Sequence, residues 1–254
     1  MGRLEITTHV GCPMNCTDCP QKLLLSRYTG KKFMDFEDYK KVIDKVPNTV
    51  RIDFSGMCEP FVNLRCADMI LYAYEHGNPL ALYTTLQGAT KEDYERLKDV
   101  KYEVVTIHLP DNENRSTFRI TEDYLEVLSL WECDNYSCHG TINNQVIPYL
   151  KNYKGLITFM HDRAGNVETR PHMTIPVDKR IICRNCGRAL DHNVLLPDGT
   201  TIMCCMDYGM TQVFGNLFTQ DYQEILNSPA AVSMRSKMDN EECLCRHCYN
   251  GIVC

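Results

Sequence analysis

The chain has 254 residues, of which 44% are hydrophobic and 24% are charged. This composition is that of a globular protein, and the length predicts one large domain, alone or with a small appendage. The formal net charge is -6, and no basic run is longer than two residues. A chain with so little positive field is not expected to bind nucleic acid.

The expected location of the protein bears on how its cysteines are used. No apolar signal segment occupies the first thirty residues, and no stretch approaches the roughly 18 apolar residues that span a bilayer. We therefore expect a cytoplasmic protein without membrane contact. Because that compartment is reducing, metal or cluster ligation explains the 15 cysteines better than disulfides do.

Strands and helices alternate over the first two thirds of the chain. Hydrophobic periodicity predicts strands over 3–10, 49–56, 80–85, 102–109, 138–143 and 156–161, and helices over 35–46, 66–77, 91–100, 121–132 and 144–153. Repeated βα units predict a parallel sheet, and six of them favour an open (β/α)6 barrel over a closed eightfold one. We expect a loop and linker over 161–180. Ligands are expected at the carboxyl ends of the strands.

A first group of cysteines follows the first predicted strand directly. Cys12, Cys16 and Cys19 have the spacing C-x3-C-x2-C. Three thiolates complete neither a tetrahedral zinc site nor a fully ligated four-iron cluster, so a fourth ligand must come from elsewhere. The alternatives are a zinc site that borrows His9 or a distant cysteine, and buried thiols without a metal.

This motif, its place after the first strand and the six βα units resemble the radical S-adenosylmethionine (radical SAM) superfamily. In that family three cysteines hold a four-iron, four-sulfur cluster, and SAM chelates the remaining iron. The resemblance implies that Cys12, Cys16 and Cys19 are cluster ligands. It also implies reductive cleavage of SAM to a 5'-deoxyadenosyl radical, chemistry that the cofactor supplies and the protein positions.

Two further segments resemble SAM-binding motifs of the family. The stretch "DFSGMCEP" stands where the family has a Gly-Gly-Glu-Pro-like turn, and "YTTLQG" where it often has Thr-Asn-Gly. The first resemblance implies that the methionyl ammonium contacts Ser55, Gly56, Met57 and Glu59. The second makes Thr85 a candidate for a ribose contact. By itself, either segment is also compatible with an ordinary turn at the end of a strand.

Two other positions bear on SAM or substrate. Asp18 precedes the third cysteine, where the family usually has an aromatic residue near adenine. "DRAGN", residues 162–166, resembles segments of radical SAM enzymes linked to carbohydrate gene sets, and it makes Arg163 and Asn166 candidates for SAM or substrate contacts. The alternative for this segment is a turn with a solvated arginine.

Eight cysteines lie between residues 183 and 254. "LLPDGTTIMCC" predicts a hairpin that turns at Asp198-Gly199, with Cys186 before it and Cys204 at its end. The stretch is similar to the SPASM or shortened twitch extension of radical SAM enzymes. The similarity implies one auxiliary cluster held by Cys186, Cys204, Cys245 and Cys248. Exchange of Cys183 for Cys186 and a four-cysteine zinc ribbon remain open alternatives.

The resulting division is a radical SAM partial barrel over 1–178 and a SPASM- or twitch-like module over 179–254. Other thiols are expected to be packing residues, because cysteine behaves as a small hydrophobe. Cys205 and Cys138 are the candidates for returning a hydrogen atom to a substrate radical, Cys205 because it adjoins the auxiliary ligands and Cys138 because it lies at a strand edge.

The function implied is hydrogen-atom abstraction from a small molecule such as a sugar, nucleotide sugar or aminocyclitol, followed by oxidation or epimerisation at carbon. The chain begins at the first barrel strand, which predicts no leader-binding domain and favours a small substrate. A flavodoxin- or ferredoxin-like protein would supply one electron. The alternatives are modification of a peptide or protein residue, and a non-catalytic zinc or iron-sulfur binding module.

Overall fold

A computed structural model describes residues 2–153, 155–157, 162–167 and 173–254 of the chain. Six parallel strands lie side by side in chain order: β1 (Arg3–Ile6), β2 (Arg51–Phe54), β3 (Leu80–Thr84), β4 (Tyr102–Leu109), β5 (Asn135–Cys138) and β6 (Leu156–Ile157). The prediction of six parallel strands in a partial (β/α)6 barrel is confirmed. The predicted sixth strand extended to residue 161, and 158–161 lie outside the described residues.

Five helices follow strands β1 to β4: α1 (Gln21–Arg27), α2 (Phe36–Ile43), α3 (Cys66–Glu75), α4 (Lys91–Leu97) and α5 (Glu122–Leu130). Side-chain caps fix where several begin. Asp35 accepts hydrogen bonds from two N–H groups of α2, and Thr90 with Asp93 forms a capping box on α4. None of the described helices is long and apolar enough to cross a membrane.

Three local expectations differ from the structure. The helix expected over 144–153 is reduced to one 3-10 turn, Ile147–Tyr149, because Pro148 lacks an N–H and clashes with a preceding helical turn. The fifth strand occupies Asn135–Cys138, ahead of its expected position at 138–143. Helix α1 was not expected from the sequence.

The C-terminal part adds five strands: β7 (Ile181–Cys183), β8 (His192–Leu195), β9 (Thr200–Ile202), β10 (Val213–Asn216) and β11 (Gly251–Val253). The β8–β9 hairpin turns at Gly199, whose φ of +85° favours glycine, as predicted. Strand β8 pairs in parallel with β1, so β8–β10 extend the barrel sheet, while β11 pairs with β7. Helices α6 (Tyr222–Leu226) and α7 (Pro229–Asn240) complete this part. The division at residue 178 remains a prediction.

Alternation along β1 and β2 creates two different faces of the sheet. Leu4, Ile6 and Ile52 are fully buried in the main hydrophobic core, and burying each such side chain contributes about 1.5–3 kcal/mol. Glu5 and Asp53, between these apolar positions, line a cavity. Because strand side chains alternate in direction, the same two strands supply both the core and the polar wall of the cavity.

Candidate active site

The cavity lies where the carboxyl ends of the parallel strands meet the cysteine loop. Its volume is about 580 Å³, within the range of small-molecule binding sites. It is lined from the ends of several barrel strands, from the loop that carries the first three cysteines, and from residues 205, 206 and 208 after β9. The cavity therefore forms at the carboxyl ends of the strands, where ligands are expected to bind.

Cys12, Cys16 and Cys19 all line this cavity and are partly buried. Burial raises the pKa of the Cys12 thiol, and it raises the pKa of Cys16 to about 11. A bound cation reverses such a shift by stabilising the thiolate. Three thiols that face one cavity, with the Arg163 guanidinium as a nearby positive charge, fit an iron-sulfur cluster with one iron left open.

Backbone contacts hold the cysteine loop over the cavity. The Thr17 N–H donates to the carbonyl of Arg115 at 2.8 Å, and the Thr117 N–H donates to the carbonyl of Met14 at 2.6 Å. Asn15 has a φ of +46°, a conformation that asparagine tolerates better than most residues. The loop is therefore fixed between strand β1 and the segment after β4.

The turn after β2 lies against the end of β1. Gly56 has a φ of +50°, and a Cβ atom there would lie 2.4 Å from the Thr7 hydroxyl, so only glycine fits. The Met57 N–H donates to the same hydroxyl at 3.1 Å, and Gln21 donates to the Met57 carbonyl. Ser55, Gly56, Met57 and Glu59 all line the cavity, as the predicted SAM contacts should.

Glu59 is enclosed by donors from its own chain. Its oxygens accept hydrogen bonds from the Thr84 hydroxyl, the Phe61 N–H at 3.3 Å, and both the N–H and the hydroxyl of Thr85 at 2.6 Å each. Burial acts to raise the pKa of Glu59. Four donors occupy the acceptor positions of a carboxylate, so Glu59 and Thr85 are engaged with each other as well as facing the cavity.

A smaller cavity lies beside the first and is lined by six cysteines: Cys183, Cys186, Cys204, Cys205, Cys245 and Cys248. The four predicted auxiliary ligands are among them, and so is the alternative ligand Cys183. Among the described residues, no three ligand-type side chains stand close enough to hold a single metal ion. In a four-iron cluster each thiolate binds its own iron, whereas in a zinc ribbon four thiolates bind one ion, and the zinc ribbon stays the alternative prediction for these cysteines.

His192 and Cys205 line both cavities, and Glu5 lines the larger one beside them. His192 Nε2 lies 2.9 Å from Glu5 Oε1, and the Ser55 hydroxyl donates to Glu5 Oε2 at 3.0 Å. Burial opposes charge on Glu5, but His192, Cys205 and Ser55 lower the pKa of this carboxyl overall. Burial likewise opposes charge on His192, and Glu5 nevertheless raises its pKa. The buried Glu5 carboxylate and the partly buried His192 ring therefore form a close carboxylate–imidazole pair.

Sequence reasoning missed Glu5 and His192. The only local signal was a charged residue between the apolar positions of β1, which marks a polar face but no role. Their contact depends on the parallel pairing of β1 with β8, in which Arg3 lies opposite His192. That pairing joins distant parts of the chain and has no local signature.

The structure separates the remaining candidates. Arg163 is partly buried, has a φ of +51° and lines the large cavity. Asn166 Nδ2 donates to the Arg163 carbonyl at 2.7 Å and to the Met206 carbonyl at 2.9 Å, so it holds the turn. Cys138 is buried at the end of β5, with its thiol 3.8 Å from the Pro110 carbonyl. Among the described residues that line the large cavity, Cys205 is present and Cys138 is absent.

Two histidines and Asp18 also contribute to the lining of the large cavity. His108 and His139 stack with ring centroids 6.1 Å apart, and His139 Nδ1 lies 3.5 Å from Asp18 Oδ2. All three residues line the cavity. A polar contact therefore stands where the radical SAM resemblance implies an aromatic one.

The parallel strands, the cysteine loop after β1 and the cavity between two groups of thiols define the fold of the radical SAM enzymes. Residues 182–249 match the family model of SPASM, an iron-sulfur cluster-binding domain. The chain therefore has a radical SAM fold and carries a SPASM domain. No curated protein matches it significantly in sequence.

Solved structures show the same architecture. BtrN in complex with AdoMet and 2-DOIA has a TM-score of 0.68 at 16% identity, covering 98% of this chain and 93% of BtrN. anSMEcpe with AdoMet and the Cp18Cys peptide has a TM-score of 0.56 at 15% identity, covering 97% and 86%. Streptococcus suis SuiB bound to precursor peptide SuiA has a TM-score of 0.54 at 14% identity, covering 92% and 66%. At these identities, the likeness shows the fold.

Proposed function

We propose that this protein is a radical SAM enzyme with two [4Fe-4S] clusters that abstracts a hydrogen atom from a small polar molecule. The observation that carries the proposal is one continuous site: the large cavity is faced by the first three cysteines, and the cavity lined by six cysteines adjoins it through His192 and Cys205. Bound SAM and the first cluster would supply a 5'-deoxyadenosyl radical, and the auxiliary cluster an electron acceptor.

Different residues of the chain would hold the two clusters and SAM. Cys12, Cys16 and Cys19 would hold the SAM-binding cluster. The auxiliary ligands would be Cys186, Cys204, Cys245 and Cys248, with Cys183 as the alternative to Cys186. The turn over Ser55–Glu59 would receive the methionyl end of SAM, because its backbone approaches the cavity closely at Gly56.

The polarity of the cavity supports a hydroxyl-rich substrate. Glu5 and His192 form a close carboxylate–imidazole pair on one wall, and Asp53 lies beside them with both oxygens paired to Arg51 at 2.6 and 2.7 Å. Arg163 faces the same space. Such a wall offers acceptors and donors that a sugar, nucleotide sugar or aminocyclitol would pair, and that an apolar side chain would leave unsatisfied. The BtrN complex with 2-DOIA adds support.

Oxidation of a secondary alcohol is the outcome that these residues support best. A carbinol radical becomes a ketone when it loses one electron and the hydroxyl proton. The Glu5 carboxylate is an acceptor for that proton, and its partner His192 lines both cavities, so the proton acceptor lies close to the auxiliary cysteines. Epimerisation would instead use Cys205 as a hydrogen-atom donor, because its thiol reaches the cavity.

Modification of a peptide residue is the second candidate. Its support is the resemblance in fold to SuiB and anSMEcpe, both solved with peptides. The rim of the cavity also carries Ile157 and Tyr249, which are 46% and 38% exposed. An extended chain could lie across such a rim while one side chain enters.

Anaerobic reconstitution tests the proposal. The protein with dithionite and SAM should release 5'-deoxyadenosine, and the Cys12→Ala/Cys16→Ala/Cys19→Ala variant should not. Release should accelerate with polyols or aminocyclitols and yield a ketone in deuterated water. Acceleration by peptides alone would favour the second candidate, while zinc in both sites and no SAM cleavage would refute both.

A further inference from the structure

The first 34 residues have an unusual distribution of charge. They contain five basic residues, Arg3, Lys22, Arg27, Lys31 and Lys32, and two acidic ones, Glu5 and Asp18. Both acidic side chains are buried in the cavity wall. The charge that this segment presents to solvent is therefore entirely positive, in a chain whose formal net charge is -6.

These charges lie next to the cysteine loop in space. The Val10 N–H donates to the Lys32 carbonyl at 2.8 Å, two residues before Cys12, and His9 forms a β-bridge with Phe33. A Cβ atom on Gly11 would lie 3.9 Å from a methyl group of Leu25. Residues 22–33 therefore pack directly against the start of the loop that carries the SAM-binding cluster.

The centre of this surface is uncharged and partly apolar. Leu25 and Phe33 are 49% and 53% exposed. The exposed residues of the loop itself are Gly11, Pro13, Asn15 and Thr17. We name the surface formed by these loop residues with Lys22, Leu25, Arg27, Lys32 and Phe33 the basic face. An apolar centre with a charged rim is the usual anatomy of a protein interface.

Three of the basic residues have their charges available. Lys31 is paired with Asp38, and Asp38 also pairs with Lys41. Lys22, Arg27 and Lys32 are exposed and make no ion pair with another described residue. The nearest further acid along the chain, Asp35, is engaged as the cap of α2. The Asp198 carboxylate lies beside Gly30 and Tyr28, so the basic face carries three unpaired positive side chains with one neighbouring acid from the C-terminal part.

We propose that the basic face docks an acidic protein that carries one electron at a time. The inference rests on the proposed function, because it assumes a cluster behind Cys12, Cys16 and Cys19 that must be reduced. The docked carrier loses one electron and the cluster gains it, with no bond formed or broken. The exposed loop offers a short path to the cluster, and complementary charge favours transient association of the kind that electron carriers use.

Charge reversal on the basic face distinguishes an effect on docking of the electron carrier from an effect on the cluster itself. The variant Lys22→Glu/Arg27→Glu/Lys32→Glu is compared with Lys91→Glu/Lys98→Glu/Lys101→Glu, which makes the same change in net charge at exposed positions around α4. Reduction of the cluster is followed by anaerobic bleaching of its visible absorbance, without SAM. One series uses fully reduced flavodoxin as the electron donor, and the other uses dithionite.

We expect reversal on the basic face to slow reduction by flavodoxin at least about tenfold, with dithionite reduction within about twofold of wild type. Raising NaCl from about 50 to about 300 mM should slow the wild type and the α4 variant but not the basic-face variant. If reversal lowers the iron content, Lys22→Gln/Arg27→Gln/Lys32→Gln takes its place, with the same direction of effect.

Three results would overturn the inference: no reduction of the wild type by flavodoxin, equal slowing in the α4 variant, or self-association of the wild type that the reversal abolishes. The last would assign the basic face to a second copy of the chain. Failure of the proposed function is distinguishable, because it would appear as no SAM cleavage by the dithionite-reduced wild type.

Discussion

Thr85 donates both its backbone N–H and its hydroxyl to the same carboxylate oxygen of Glu59, at 2.6 Å each. The contact joins the turn after β2 to the end of β3 in a buried place. Thr85 and Glu59 are both candidates for contacting SAM, and Thr85 also fixes the position of the Glu59 carboxylate.

Thr85→Val tests this coupling. The substitution keeps the shape of the side chain but removes one donor to a buried carboxylate, at an expected cost of about 1–3 kcal/mol in the free energy of unfolding. SAM affinity, measured by equilibrium binding, should fall as well. Thr85→Ser retains the hydroxyl and should keep most of both quantities. Unchanged stability and affinity in Thr85→Val would contradict the assignment.

Iron content tests the two cysteine groups separately. Reconstituted wild type should contain about eight iron atoms per chain, and either Cys12→Ala/Cys16→Ala/Cys19→Ala or Cys204→Ala/Cys245→Ala/Cys248→Ala should leave about four. Comparing Cys183→Ala with Cys186→Ala identifies the fourth auxiliary ligand. Cys243→Ala is the control, because Cys243 is outside the described lining of the six-cysteine cavity. Bound zinc in place of iron would reject the auxiliary cluster.

Cys205 and Cys138 form a matched pair for the fate of the substrate radical. If the product is an inverted alcohol, its formation should disappear in Cys205→Ala and persist in Cys138→Ala, because of these two thiols Cys205 is among the described residues that line the cavity and Cys138 is not. If the product is a ketone, neither substitution should remove it unless Cys205→Ala disturbs the adjacent Cys204. Product analysis in deuterated water distinguishes the two cases. Loss of the inverted alcohol in Cys138→Ala alone would show that Cys138, and not Cys205, donates the hydrogen atom.

Glu5→Gln tests the pair formed by Glu5 and His192. Both residues line the large cavity, and His192 also lines the six-cysteine cavity. The amide keeps the shape of the side chain but cannot accept a substrate proton, so product formation should fall about 100-fold or more. Release of 5'-deoxyadenosine should fall much less, because radical generation does not use Glu5. Glu103→Gln is the control, since Glu103 is a half-exposed partner of Arg51. A parallel loss of both products would assign Glu5 to SAM binding.

His108 predicts an acid-dependent loss of stability. Burial, with His139 and Arg163 nearby, lowers the pKa of His108 to about 4, so the folded protein holds this histidine neutral. Below its ordinary value of 6.5 the unfolded chain binds the proton first, and stability falls as pH drops from 6.5 towards 4.

Between pH 7 and 5.5 this effect is expected to reach about 1 kcal/mol. Urea unfolding gives the free energy of unfolding of the reconstituted wild type and of His108→Asn at both pH values. The effect is the change with pH in the difference between these two free energies. A difference that stays constant between the two pH values would show that His108 titrates normally in the folded protein.

The alternation of strands and helices and the places of the two cysteine groups are predictable from the sequence alone. Hydrophobic periodicity and ligand spacing are local properties, so they can be recognised without knowledge of the fold. Local signals failed where they were weak or contradicted. Helix α1 has only seven residues and no side-chain cap, and Pro148 prevents the helix expected around it.

The assembly of the site depends on tertiary contacts. The ion pair of Glu5 with His192 requires β8 to pair with β1, and the contact of Glu59 with Thr85 requires adjacent strand ends. Likewise, Cys205 and Cys138 differ in which side of the sheet end they face, which cysteine spacing does not encode. These relationships join residues distant along the chain, and their geometry is set by strand register and packing.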